Sequence, residues 1–206
     1  MTHAPVKTKF PNGPAPGARP SDRRAALVEE AASLFGRQGY DKTSMRDIAS
    51  AFGILPGSLY HHFGSKEELF GAVYAAGVDR MIDAVQQATA GVSDPVLRLE
   101  AACVAHLEQL LGQENVMAPV LIAWPTSTPE LRRSLVQQRD RYEQLLDAFI
   151  ADVRLQPGIE RRFFRLSLLG AVNWALTWYQ PGRESPTAIA RKIFAVFRPM
   201  LATNTD

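Results

Sequence analysis

The sequence predicts an all-α protein, on three observations. Apolar residues recur at intervals of three and four along most of the chain. No stretch alternates apolar and polar residues over the length of a strand. Pro and Gly punctuate the periodic stretches at intervals suited to helix ends. A chain of 206 residues can bury one substantial core, or one core with a small satellite.

Each element follows from local signals. Residues 1–20 hold Pro5, Pro11, Pro14, Pro16 and Pro20, with Lys7, Lys9 and Arg19 and no acid, and read as a disordered basic arm. From Ser21, the residues Leu27, Ala31, Leu34 and Phe35 share a helical face, Ser21 or Asp22 is placed to cap its start, and Gly39 stops it. A short helix over 44–52 carries Met45, Ile48, Ala49 and Phe52 on its apolar side and ends at Gly53. A second, over 55–62, ends at Phe63–Gly64. Ser65 then caps a long helix over 65–89, with Glu68 completing a capping box. Further helices are predicted over 94–112, 116–123, 129–153, 158–179 and 185–203. No internal repeat is visible.

Composition narrows the function classes. No apolar run reaches the roughly 20 residues that span a bilayer, and the N-terminus has no apolar core of a signal peptide. The single cysteine, Cys103, excludes an internal disulfide and a multi-cysteine zinc site. A cytoplasmic location is expected, with no membrane partner. Residues 1–70 carry nine Lys/Arg against seven Asp/Glu, and residues 71–206 fourteen of each, so the net +2 lies entirely at the front. That excess permits a nucleic-acid partner without demanding one. The chain has no nucleophile elbow, no Gly-rich phosphate loop and no metal-spaced cluster. His3, His61, His62 and His106 do not group with Cys103 and an acid. No enzyme, cofactor or metal is expected.

Two short helices about a tight turn form the smallest unit that sets one helix in a DNA major groove while the other braces it on the backbone. Gly53 supplies the positive φ that such a turn favours. Ala49 is small enough for close helix approach, and Ile48, Ile54, Leu59 and Phe63 would pack the pair on the first helix. Leu55, Pro56, Ser58, Tyr60 and His61 are then left outward, with His62 partly so.

The stretch Thr43-Ser44-Met45-Arg46-Asp47-Ile48-Ala49, followed by Gly53-Ile54-Leu55-Pro56-Gly57-Ser58-Leu59-Tyr60-His61-His62-Phe63-Gly64-Ser65-Lys66-Glu67-Glu68-Leu69, resembles the signature of TetR-type regulators. The resemblance covers residues 21–70. It implies a helix-turn-helix DNA-binding domain over 21–66 and a helical ligand-binding and dimerisation domain over 67–206. It further implies a homodimer on a double-stranded, palindromic operator, acting as a repressor. Position by position, Thr43 and Ser44 would offer a hydroxyl and helix N-terminal amides to a phosphate. Tyr60 and His61 would touch the backbone or a base edge, Lys66 would pair with a phosphate, and Lys42 and Arg46 would add phosphate contacts. Ser58 and Leu55 would face bases, Leu55 through thymine methyls. Leu55 departs from the Ser or Thr of many relatives, so the cap hydroxyl is lost, while Pro56 suits the first helical position. A ligand-binding adaptor of the same fold with weakened DNA recognition is the alternative.

The dimer seam is expected on 158–179 and 185–203, through Phe163, Leu166, Leu169, Gly170 and Trp174, with Ile189, Ile193, Phe194 and Phe197. The segment Asn173-Trp174…Trp178-Tyr179-Gln180-Pro181-Gly182…Ser185-Pro186…Ile189-Ala190 is similar to the C-terminal end of repressors of sterol and fatty-acid breakdown. Some of those are released from DNA by acyl-CoA. Thr177 stands where some of them carry a basic residue. A hydrophobic effector, with acyl-CoA one class of it, would sit among Cys103, His106, Leu107, Leu110, Met117, Leu121, Trp124, Tyr142, Phe149, Asn173 and Trp174. His106 and Asn173 would orient it. Arg139, Arg161, Arg162 and Arg165 are candidates for an anionic group at an entrance.

Overall fold

A computed structural model describes residues 20–112, 120–121 and 128–202. Its helices are α1 (Pro20–Gln38), α2 (Met45–Phe52), α3 (Pro56–Tyr60), α4 (Lys66–Thr89), α5 (Pro95–Leu111), α6 (Pro129–Asp152), α7 (Arg161–Trp178) and α8 (Pro186–Phe197). A single 3-10 turn, Arg198–Met200, follows. Among the described residues no helix is long and apolar enough to cross a membrane. The arm preceding α1, Met117 and Trp124 lie outside the described residues, as does most of the helix expected over 116–123.

Helix ends follow local chemistry. Gly39, at φ +81°, closes α1 with its N–H on the Phe35 carbonyl. Ser44 and Asp47 form a complete capping box on α2: the Ser44 hydroxyl accepts from the Asp47 N–H, and the Asp47 carboxylate accepts from the Ser44 N–H at 2.8 Å. The Ser44 hydroxyl also donates to that carboxylate, which is held below its ordinary pKa chiefly by this bond. Ser65 caps α4 by accepting from the Glu68 N–H at 3.1 Å. The Glu68 carboxylate, however, accepts from the Gly64 N–H rather than from Ser65, so the expected box is displaced by one residue. Ser21 and Asp22 fall inside the first turn of α1 and are not its cap, because the helix already begins at Pro20. Before α7, Gly158 adopts φ +84° and delays the helix to Arg161. Past α8, the 3-10 turn holding Pro199 ends the expected 185–203 helix early.

Two apolar cores result. One runs from α1–α3 (Leu27, Phe35, Ile48, Leu59, Phe63) through α4 (Phe70, Val73) into α5 and α6. The second joins α5 to α7 and α8 through Leu99, Leu107, Phe164, Leu168, Ile189 and Phe194. Helix α5 contributes to both cores, while α4 belongs to the first and packs on α1, α5 and α6. Charge pairs span the same joints: Arg80 meets Glu29 of α1, and Arg141 of α6 meets Asp79 at 2.9 Å.

The buried faces of α7 and α8 differ from expectation. Ile189, Phe194 and Phe197 are buried within the chain and cannot face a partner. Leu169 is also turned inward, while Ile193 is half-buried. What α7 exposes is Phe163, Leu166, Gly170, Trp174 and Trp178, a row at intervals of three and four, and α8 adds Val196. Exposure of Phe163 and Trp174 reaches 60% and 66%.

Candidate functional site

The outer end of the molecule is built by α1–α3. The α2–α3 turn is closed by Gly53 at φ +76° and by the Ile54 N–H on the Ala49 carbonyl at 2.9 Å. Ile48 and Ala49 are fully buried, as are Leu59 and Phe63. Of the five residues of α3, only Leu59 turns inward, so Pro56, Gly57, Ser58 and Tyr60 are exposed. Leu55 precedes them at 77% exposure and caps α3 with no side-chain hydrogen bond, as its lack of a hydroxyl requires. Pro56, at the first helical position, has no N–H in need of a cap. Lys42, Ser44, Arg46 and His61 are exposed on the same small head.

Two residues assigned to this surface are otherwise engaged. Thr43 is buried and its hydroxyl donates to the Gly39 carbonyl at 2.8 Å, so that hydroxyl is not presented to a phosphate. Its role is to brace the α1–α2 turn. Lys66 is half-buried, with Nζ 3.1 Å from the Tyr40 carbonyl oxygen and 4.0 Å from the centre of the Tyr40 ring. No local sequence pattern signals that contact, since Tyr40 lies 26 residues before Lys66. Burial and the neighbouring Glu67 carboxylate push the Tyr40 phenol up to about 12.

A cavity of about 200 Å³ opens among α4, α5, α6 and α7. Its apolar lining includes Val78, Met81, Leu110, Leu121 and Leu169; its polar lining is Tyr74, His106, Arg139, Tyr142, Glu143 and Asn173. Of the residues expected there, His106, Leu110, Leu121, Tyr142 and Asn173 are brought together. Cys103 lines instead a much smaller void behind His106 and Tyr142. Burial pushes its thiol up to about 12, which leaves it unreactive. Leu107 is buried in the second core, and Phe149 packs between the two cores. Trp174 points to solvent, because α7 turns Asn173 and Leu169 rather than Trp174 toward the cavity. Of the proposed entrance arginines only Arg139 lines the cavity. Arg165 pairs with Glu143 and Asp147, and Arg161 meets the Ile150 carbonyl. Tyr74, Val78 and Met81 were missed, although their spacing of four and three on α4 is the signal for a shared face.

His106 is buried at the centre of the polar lining. Its Nδ1 lies 2.5 Å from the Tyr142 hydroxyl, and its Nε2 lies 2.9 Å from Asn173 Oδ1. Burial lowers the imidazole pKa to about 4, against a smaller raising effect of the Asn173 bond, so the ring is neutral at physiological pH. Among the described residues, no group of three His, Cys, Asp or Glu side chains is placed to hold a metal ion.

At the other end of the chain, Gly182 at φ +90° and the Ser185 hydroxyl, accepting from the Ala188 N–H, make a stop and start between α7 and α8. The Pro-Gly and Ser-Pro pairs there have a structural role.

Known proteins share both parts. Residues 27–73 match the description "Bacterial regulatory proteins, tetR family", and residues 92–201 match "Tetracyclin repressor-like, C-terminal domain". The HTH-type transcriptional repressor KstR2 of Mycobacterium tuberculosis is 31% identical over 174 residues, covering 79% of this chain and 84% of its own. KstR2 of Mycolicibacterium smegmatis is 30% identical over 178 residues, covering 80% and 83%. The solved structure of AibR in complex with isovaleryl coenzyme A and operator DNA superimposes with a TM-score of 0.75 at 28% identity, over 84% of this chain and 97% of that one. By sequence and by fold, the chain belongs to the tetR family of bacterial regulatory proteins, transcriptional regulators rather than enzymes.

Proposed function

We propose that this chain is a cytoplasmic transcriptional repressor that binds a palindromic operator as a homodimer and is released by a hydrophobic small molecule or an acyl-CoA. Residues 21–66 are the reading head, and residues 67–206 pair the chains and sense the effector. The carrying observation is α3: every residue but Leu59 is exposed, as is Leu55 before it, on a head whose core of Leu27, Phe35, Ile48, Leu59 and Phe63 is buried. Leu55 and Ser58 face base edges, Tyr60 and His61 the backbone, and Lys42, Arg46 and the α2 N-terminus at Ser44 the phosphates.

The exposed row Phe163, Leu166, Gly170, Trp174 and Trp178 supports pairing of α7 and α8 with their copies, since so much contiguous apolar surface is costly in a monomer. A two-fold pair would set its recognition helices about 34–36 Å apart, in successive major grooves. The cavity contacts α4, and α4 begins at Lys66, bound to the head through Tyr40. An effector that shifts α4 therefore shifts the head. The isovaleryl coenzyme A of the AibR complex favours an acyl-CoA as one effector class.

The test is fluorescence anisotropy on DNA from upstream of the chain's own gene, titrated with salt and random competitor. Tight binding that survives competitor, falls steeply with salt and is reversed by an acyl-CoA is the expected result. If no genomic fragment is bound specifically, the chain is instead a ligand-binding adaptor of the same fold.

A further inference from the structure

The cavity carries more information than its position. Three helices each contribute one polar group to a row: Tyr142 from α6, His106 from α5 and Asn173 from α7. With Asn173 Oδ1 accepting, Nε2 of His106 carries the proton, Nδ1 accepts, and the Tyr142 hydroxyl donates to it. Every internal position of the row is then filled, and the Asn173 amide N–H groups remain, on a residue that lines the cavity. In this orientation, with Asn173 Oδ1 on Nε2, the row has N–H donors to give and takes an acceptor from outside.

Charge limits what that acceptor can be. Arg139 lines the cavity but is paired with Asp140 at 3.2 Å and Glu143 at 3.1 Å. Glu143 is shared with Arg165, which also meets Asp147 at 3.1 Å. Three carboxylates thus surround two guanidinium groups, and the buried imidazole of the row is neutral. A ligand carboxylate would enter without a counter-charge of its own, at a cost that an uncharged oxygen avoids.

Size limits the rest. About 200 Å³ is little more than the ~150 Å³ cavity that holds one benzene ring, and falls below the ~300–1,000 Å³ of sites for drug-sized ligands. Behind His106 and Tyr142 only about 10 Å³ is open, so the row is also the cavity's inner wall.

We propose that the cavity selects a small ligand through an uncharged carbonyl oxygen received by the Tyr142–His106–Asn173 row, and discriminates against carboxylates. Ketones, esters and short acyl thioesters belong to this class; free fatty acids do not. The assignment rests on reading the cavity as the effector site.

Isothermal titration calorimetry of the full chain tests it with 2-heptanone and hexanoate, probes with equal numbers of non-hydrogen atoms, near neutral pH. The ketone is expected to bind about tenfold more tightly. In Asn173→Leu and in Tyr142→Phe, each checked for folding by circular dichroism, the preference should shrink in at least one variant to within about twofold. A purely structural role for the row would weaken both probes alike and leave the ratio intact. Equal or tighter binding of hexanoate, a preference that survives both substitutions, or no saturable ketone binding would each overturn the proposal. No DNA is present in this measurement. Ketone binding without any effector-driven release of operator would count against the regulatory reading and leave the assignment of the row standing.

Discussion

The Lys66 ammonium rests 3.1 Å from the Tyr40 carbonyl oxygen and 4.0 Å from the centre of the same ring. One side chain at the first turn of α4 therefore makes a hydrogen bond and a cation–π contact with the loop that closes the head. Lys66→Met keeps the apolar stem and removes both. Its expected cost is about 1–2 kcal/mol, read as a shift in urea midpoint at constant slope. The remaining N–H groups of Lys66 are the ones left for a phosphate. If they make that contact, the slope of log K against log salt should fall by about one in the variant. An unchanged slope would mean that Lys66 is an internal strut alone.

Tyr60 offers the cleaner separation of reading from folding. It is 53% exposed on α3, and Leu59 beside it is fully buried. Tyr60→Ala should leave stability within about 0.5 kcal/mol while lowering operator affinity by about tenfold or more. Leu59→Ala should do the opposite first, unfolding the head at a cost of about 2–5 kcal/mol. Thermal melts beside anisotropy titrations of the two variants decide the matter. A Tyr60→Ala protein that binds operator as well as the parent would remove this residue from the interface.

The exposed apolar row on α7 predicts oligomeric state. Trp174→Asp and Phe163→Asp each set a charge where the pairing face would be dry, while neither residue contributes to the buried cores. Light scattering after size exclusion should show a dimer for the parent and a monomer, still helical, for the double variant. Operator binding should be lost with pairing, because a single head has only half a site. A double variant that remains a dimer would relocate the seam.

His106 predicts a pH dependence. Burial lowers its folded-state pKa to about 4 from an ordinary 6.5, so between those values the unfolded chain binds the proton that the folded chain refuses. Stability therefore falls as pH drops through this window, by at most about 1.4 kcal/mol per unit from this one group. Above 6.5 the residue contributes no slope. Neighbouring Tyr142 does not titrate there, since burial holds its phenol well above the ordinary value, and Asn173 does not titrate at all. His106→Gln should be less stable throughout but lose less on going from pH 6.5 to 4.5. Chemical denaturation at a series of pH values measures the difference; parallel curves for the two proteins would contradict it.

Local signals in the sequence are enough to place most helix ends and the pair of short helices α2 and α3, although α7 starts and α8 stops a few residues inside their expected bounds. Those signals act within a turn: Gly39 and Gly53 accept positive φ, Ser65 and Ser185 cap, and Pro56 and Pro186 open helices at their first position. The exposed set on α3 was legible for the same reason, since a five-residue helix with one buried leucine has no second face to hide. Which side of each helix is covered depends instead on the neighbours that pack against it. Both sides of α7 are apolar, and only the packing of α5 and α8 settles that Phe164 and Leu168 turn inward while Phe163 and Trp174 do not. The same contacts bring His106, Tyr142 and Asn173 into one row from positions 36 and 67 residues apart in sequence. They also place Tyr74, Val78 and Met81 of α4 in the cavity wall and the Lys66 ammonium on Tyr40. Periodicity states that a helix has an apolar side; it holds no term for what lies opposite, and the cavity is made of that relation.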